Sequence, residues 1–192
     1  MTDLTDQQNE ALEHAHHSAH AAESGDPMTL RVTLSIAVMA VIATFIGALG
    51  ETEASHTFVE KNEAVLAQAK ASDAWANYQA ESTKKHIYDV GASLAATPDL
   101  AAKMHTEADR YAKEQPDIQG TARRFEADVE KRSAEAAKHF ERHHTLTLAE
   151  GLVHVAIAGA SIALLARRRI FWVGSIVLTA AGMIVAGVAY IL

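Results

Sequence analysis

The stretch that decides the fold is residues 146–192, with the sequence LTLAEGLVHVAIAGASIALLA (146–166), RRR (167–169) and IFWVGSIVLTAAGMIVAGVAYIL (170–192). Its first apolar run has 21 residues and one charge, Glu150, and its second has 23 residues and none. About 20 apolar residues in a helix match the roughly 30 Å hydrocarbon core of a bilayer. The stretch therefore predicts two transmembrane helices, at 146–166 and 170–192, joined by a tri-arginine turn at 167–169.

A third apolar run lies earlier in the chain, at residues 30–50, with Arg31 as its single charge. It predicts another transmembrane helix, at 29–50. By contrast, residues 51–145 hold 17 of the 24 acidic residues and 13 of the 17 basic residues of the chain. This segregation of charge predicts an extramembrane domain at 51–145, after an acidic, histidine-bearing tail at 1–28.

The extramembrane segment is rich in Ala, Glu, Lys and Gln, which favour helix. Within it, Thr97-Pro98-Asp99 predicts a helix start, with Thr97 as N-cap. Two arms of similar length, 51–96 and 98–145, then flank Thr97. The predicted fold is an all-α membrane protein in which a long antiparallel, coiled-coil-like helical hairpin lies between the first and second transmembrane helices. Pro116 should kink or interrupt the second arm.

Both arms carry apolar residues at helical spacing. On the first arm they form two clusters: Phe58, Val65, Leu66 and Ala69, then Trp75, Tyr78 and Ile87. On the second arm they are Leu100, Met104, Ala108, Tyr111, Ile118, Ala122, Phe125, Val129, Ala136 and Phe140. These stripes predict coiled-coil-like seams. Because many positions are alanine, the seams favour either close packing or further helices from other subunits.

The orientation of the helices is predicted from Arg167, Arg168 and Arg169, since basic residues in short loops stay in the cytoplasm. The N-terminus is then cytoplasmic and the hairpin periplasmic, in a bacterial inner membrane. Basic residues of the second arm near the membrane favour the opposite orientation. Long loops count less in this rule, so we prefer the first orientation.

The N-terminal tail contains a candidate metal site. In the segment EHAHHSAH (13–20), Glu13, His16, His17 and His20 would share a helix face, at the spacing that metal ligands use. Neutral imidazole suits zinc, copper or nickel. The alternative is a polar helix near the lipid headgroups, with no metal.

A polar face enters the second transmembrane helix. Thr147, Glu150 and His154 follow one another at spacings of three and four. Ionisable groups within a membrane are candidates for function. The preferred interpretation is an interhelical hydrogen-bond clamp to Thr44 or Ser35. The alternatives are an ion or proton pathway and simple exposure at the interface.

Several function classes are disfavoured by the sequence. The chain has no cysteine, which excludes disulfides and thiolate catalysis. It also lacks a Gly-rich phosphate loop, a His-Glu-x-x-His motif and a recognisable nucleophile–base pair. A net charge of −7 argues against nucleic-acid binding. We therefore expect neither an enzyme nor a cofactor.

The segment NEAVLAQAKASDAWANYQA (62–80) has the pattern Asn-Glu-Ala, a spacer, then Ala-Ser-Asp-x-Trp-x-x-Tyr-Gln-Ala. Together with the N-terminal EHAHH (13–17) and HFERHH (139–144), it resembles the bacterial domain-of-unknown-function family 4337 of membrane proteins. The resemblance covers nearly the whole chain and implies three inner-membrane spans, without an assigned activity. The chain departs from the pattern at His154, where the resemblance implies an amide side chain.

The leading functional hypothesis is a membrane-anchored helical structural or interaction protein that self-associates. Its partners would be the bilayer, further copies of the chain and a protein not identified by the sequence. Two alternatives are an oligomeric channel or transport component using the polar face of the second transmembrane helix, and a metal- or pH-responsive sensor using the N-terminal histidines. The predicted interface residues are Ser72, Asp73, Trp75, Tyr78 and Gln79.

Overall fold

The structure, a computed structural model, describes residues 27–191. Within that range it contains three α-helices and no β-strand: α1 at Pro27–Ser93, α2 at Pro98–Ala166 and α3 at Arg169–Val188. The prediction of an all-α protein is confirmed. Each helix includes a stretch long and apolar enough to cross a membrane, judged by length and composition.

The helix boundaries follow local sequence signals. Before α2, Thr97 Oγ1 accepts a hydrogen bond from the Leu100 N–H at 3.4 Å, so the predicted N-cap is confirmed. After α2, Arg167 has a φ of 51°, the left-handed conformation that commonly ends a helix. Of the two effects predicted for Pro116, the interruption is wrong, because α2 continues through this residue, and the kink stays a prediction. A proline inside a helix removes one backbone hydrogen bond without removing those on either side.

The chain divides into two compact units. Among the described residues, the first unit comprises residues 27–57 and 138–191, and the second comprises Phe58–Ala137. In the first unit, parts of α1 and α2 pack with α3 around large apolar side chains. Val32 from α1 and Leu146 and Val153 from α2 are fully buried there.

Glycines allow close helix contacts in the first unit. A Cβ at Gly182 of α3 would lie 2.9 Å from Val153 Cγ2 and 3.0 Å from the backbone oxygen of Ala149. No side chain fits there without a shift of the helices, since the second contact is with backbone. A polar contact joins α3 to α1, where the Trp172 Nε1–H donates to Ser35 Oγ at 3.1 Å.

The second unit consists of the remaining parts of α1 and α2. The Glu60 carboxylate of α1 contacts Arg132, and the Trp75 indole contacts Glu126. Further along α1, the Tyr88 ring contacts Tyr111. Residues later in α1 thus contact residues earlier in α2. The buried apolar residues of this unit are Ala64, Ala67, Ala71, Ala92, Ala108, Ala122 and Ala136.

The predicted stripe on α2 is largely buried or half-buried, but the first predicted cluster on α1 is not. Phe58 and Val65 are each 69% exposed and Leu66 is 50% exposed. These side chains point away from the contact with α2, which the alanines occupy instead. Alanine allows two helix backbones to approach closely, and the larger apolar residues then fall on the opposite side of α1.

Candidate functional site

A buried carboxylate of α1 meets a histidine of α2 in the first unit. Glu53 is only 7% exposed, and its Oε2 lies 2.6 Å from His139 Nδ1. A buried carboxylate is costly unless it is hydrogen-bonded or paired, so His139 is the contact that permits Glu53 to be buried. The His56 ring stacks on His139, with ring centroids 5.1 Å apart and planes 27° apart. Three ionisable side chains therefore form one cluster.

Further contacts connect this cluster with a residue that follows α3. The Tyr190 side chain, just after α3, lies close enough to Glu53 to interact with its carboxylate. The Arg142 guanidinium lies 5.7 Å from the centroid of the Tyr190 ring, at cation–π distance. His143 Nδ1 lies 3.0 Å from the Gly50 carbonyl oxygen, and its N–H donates there. Residues from α1, α2 and the turn after α3 thus meet at Glu53.

The Glu53–His139 contact joins an imidazole nitrogen to a carboxylate oxygen. With a charged imidazole the contact is an ion pair, and with a neutral one it is a charge-assisted hydrogen bond from Nδ1–H. Within residues 27–191, no group of three or more His, Asp or Glu side chains is arranged to hold a metal ion.

The structure separates the three residues of the predicted polar face on α2. Glu150 is half-buried against α1, where a Cβ at Gly47 would lie 2.6 Å from its Oε1. Thr147 and His154 are exposed on the outer side of the helix. The Thr147 hydroxyl donates to the His143 carbonyl oxygen at 2.9 Å. One member of the face therefore contacts α1 and the other two point outward.

The predicted interface segment on α1 is also divided. The Trp75 Nε1–H donates to Glu126 Oε1 of α2 at 2.8 Å, and the Trp75 and Tyr78 rings meet edge to face at 5.6 Å. Both aromatic residues are half-buried, whereas Ser72, Asp73 and Gln79 are exposed. The aromatic pair thus lies at the contact with α2, and the three polar residues do not.

Further contacts between α1 and α2 reinforce the second unit. Arg132 NH1 donates to Glu60 Oε2 at 3.1 Å, and this hydrogen bond raises the pKa of the Arg132 guanidinium. The Tyr88 and Tyr111 rings stack with centroids 5.7 Å apart. The Lys84 ammonium lies 5.5 Å from the centroid of the same Tyr111 ring. Polar and aromatic side chains therefore supply contacts that the small alanines cannot.

The remaining predicted residues are the N-terminal histidines and the tri-arginine segment. His16, His17 and His20 are outside the described residues. Arg167 and Arg168 form the turn between α2 and α3, and Arg169 is the first residue of α3. All three arginines are exposed.

The Glu53–His139 contact is a feature that sequence reasoning missed. A signal for it exists, since Glu53 precedes Thr97 by 44 residues and His139 follows it by 42. An antiparallel arrangement that turns at Thr97 brings two such positions to the same level. His139 also begins the HFERHH segment (139–144), and Glu53 and His56 are three residues apart and share a helix face.

Comparison with known proteins gives one family. Residues 28–192 match the family described as a domain of unknown function, DUF4337. No curated protein and no solved structure matches the chain. The match spans most of the 192 residues and includes all three helices and the Glu53–His139 cluster. The chain therefore belongs to the DUF4337 family of domains of unknown function.

Proposed function

We propose that this protein is a membrane-anchored interaction protein that works without catalysis, through helical surfaces, and that self-associates. Three transmembrane helices anchor it, and an antiparallel, coiled-coil-like hairpin extends outside the bilayer. The observation that carries the proposal is the difference in surface between the two units. The helices of the first unit expose large apolar side chains along their apolar stretches, and the second unit exposes many charged side chains.

The outer surface of the first unit suits lipid better than water. Val41 of α1 is 70% exposed, Leu165 of α2 is 89% exposed and Ile184 of α3 is 67% exposed. Large exposed apolar patches are rare on soluble proteins and mark a surface that contacts lipid or protein. Here such side chains occur on all three helices, each of which has an apolar stretch of sufficient length. A bilayer accounts for all of them at once.

The order of contacts in the second unit supports a hairpin. The pairs Glu60–Arg132 and Tyr88–Tyr111 follow the opposite chain directions that an antiparallel pair requires. The short segment between Ser93 and Pro98 allows α1 to turn directly into α2. The charge of residues 51–145 keeps this part of the chain in water.

For location and orientation we propose a bacterial inner membrane with the N-terminus in the cytoplasm. The exposed arginines at the turn between α2 and α3 support this orientation, because short basic loops remain cytoplasmic. The hairpin is then periplasmic.

Cysteine labelling tests both the anchoring and the orientation, since the natural chain contains no cysteine. Two single variants, Ser133→Cys in the hairpin and Arg168→Cys in the turn, place a thiol at exposed positions. In intact bacterial cells, a membrane-impermeant maleimide should label only the Ser133→Cys protein, and alkaline carbonate should leave both proteins in the membrane fraction. Labelling of Arg168→Cys alone would reverse the orientation. Release of the protein by carbonate would overturn the anchoring.

Self-association is tested by the mass of the detergent-extracted particle. The expected protein mass is a multiple of 20.6 kDa, measured by light scattering with correction for bound detergent. A protein mass of one chain would overturn this part of the proposal, whatever the labelling shows.

A further inference from the structure

One side of α1 in the second unit exposes an apolar stripe. Phe58 and Val65 are each 69% exposed, and Ala69 and Ala76 continue the same side of the helix. Asn62, also exposed, lies between the first two. We name these five residues the outer seam. It faces away from α2, because the residues of α1 buried against α2 are alanines.

In a helix pair surrounded by water, large apolar side chains usually lie between the helices, and here the arrangement is reversed. Alanines of α1 are buried against α2, and large apolar side chains, Phe58 and Val65 among them, are exposed on other sides of the helix. Exposed apolar area is unfavourable in water, and an isolated helix pair would be more stable with polar residues at these positions. The charge of the flanking residues places this part of the chain outside the bilayer, so lipid does not cover the outer seam. Another protein surface is the remaining cover.

The spacing along the outer seam is that of a coiled coil. Phe58, Asn62, Val65 and Ala69 are separated by four, three and four residues, and Ala76 follows one heptad after Ala69. In heptad terms Phe58 and Val65 occupy d positions, and Asn62, Ala69 and Ala76 occupy a positions. An asparagine at one a position pairs best with an asparagine at the same level of a second helix, and this fixes register and orientation.

We propose that the outer seam binds the outer seam of a second copy of this chain, parallel and in register. The inference rests on the proposed membrane anchoring, which holds all copies in one orientation. In that orientation two copies of α1 are parallel, and a two-fold axis brings identical residues together. Asn62 then meets Asn62 of the second copy, with Phe58 and Val65 packing on either side of the pair. A self-complementary seam needs no other partner.

Disulfide trapping of the full chain in membranes tests the contact, again using the absence of natural cysteine. Val65→Cys places a thiol on the outer seam, and Glu63→Cys places one two residues away on another exposed side of α1. Facing d positions bring two Cα atoms near the roughly 4.4–6.8 Å that a disulfide needs. Under mild oxidation, most of the Val65→Cys protein should become a covalent dimer, with several-fold less from Glu63→Cys. Equal yields, or no dimer from Val65→Cys, would overturn the inference.

A second measurement separates this inference from self-association in general. The double variant Phe58→Ser with Val65→Ser removes the apolar part of the outer seam. Both side chains are mostly exposed in the single chain, so helix content should be unchanged and serves as the folding control. The protein mass of the particle should fall from a multiple of 20.6 kDa to the mass of one chain. A folded variant that keeps the wild-type mass would overturn the outer seam while leaving self-association in place, and a single-chain mass for the wild type would overturn both.

Discussion

The two units bury different kinds of side chain, although α1 and α2 contribute to both. The first unit buries Val32, Leu146 and Val153 completely. The second unit buries only alanines among its apolar residues. A buried leucine or valine makes more van der Waals contacts than a buried alanine, so these three side chains stabilise their unit more than single alanines stabilise the second. The second unit depends instead on contacts such as Trp75–Glu126 and Glu60–Arg132.

This difference in buried side chains should give the two units different local stability. A unit with a core of large side chains should open together with the whole protein. A unit held by alanine contacts and a few polar or aromatic pairs should open at lower free energy. The same long helices would then be rigid in one stretch and more dynamic in another, which suits a surface that binds other chains.

The largest expected effect tests the core of the first unit. Leu146→Ala should destabilise the protein by about 2–5 kcal/mol, because the fully buried side chain leaves a cavity. Leu148→Ala is the matched control, since the same residue type two positions later is 56% exposed and should change stability by less than about 0.5 kcal/mol. Chemical unfolding of the detergent-solubilised protein, followed by circular dichroism, measures both. Similar losses for the two variants would contradict the assigned core.

The next effect tests how closely α2 and α3 approach. Gly182→Ala places a methyl group 2.9 Å from Val153 Cγ2 and against backbone, and should cost about 1–3 kcal/mol through a forced shift of the helices. Gly174→Ala in the same helix meets no atom within 4 Å. It should be neutral or slightly stabilising, since alanine is the better helix former. If Gly182→Ala is tolerated as well as Gly174→Ala, the close approach of the two helices is wrong.

A third, smaller effect tests whether contacts between side chains hold the second unit. Trp75→Phe removes the indole N–H that donates to Glu126 and should cost about 1 kcal/mol. Amide hydrogen exchange should accelerate in the second unit and stay unchanged in the first. Trp172→Phe is the matched control, because it removes an indole donor to Ser35 in the first unit. Accelerated exchange throughout the chain with Trp75→Phe would show that the two units do not open separately.

Local signals made part of this fold predictable from the sequence. The three apolar runs depend only on composition over about 20 residues. The start of α2 depends on the Thr97-Pro98 pair. Both kinds of signal lie within a short segment, so they do not depend on distant packing.

The failures concern packing over long distances in the chain. Two stripes of α1 are apolar, one of alanines and one containing Phe58 and Val65, and the sequence does not distinguish which of them faces α2. The choice depends on how closely the two backbones approach, which only both helices together determine. The Glu53–His139 contact was missed for a related reason, since it requires the register of two helices to within one turn.

The smallest expected effect concerns the surface of the second unit. Lys85 Nζ lies 2.6 Å from Asp89 Oδ2, and this hydrogen bond lowers the pKa of the Asp89 carboxyl below its ordinary value of about 3.9. A carboxyl with a lowered pKa in the folded state stabilises that state above its ordinary pKa, and the contribution disappears as the pH falls through the lowered value. The pair is accessible to solvent, so the effect should be small and should weaken further in salt.

Hydrogen exchange near residues 85–89, compared between pH 6 and pH 2 after correction for intrinsic rates, measures this contribution. The wild type should lose a small amount of local protection on the acid side, and Asp89→Asn should lose less, because its side chain does not titrate. Protection around Leu146, in the first unit, should not depend on the Asp89 carboxyl. If Asp89→Asn loses as much exchange protection at pH 2 as the wild type, groups other than the Lys85–Asp89 pair cause the pH dependence of residues 85–89.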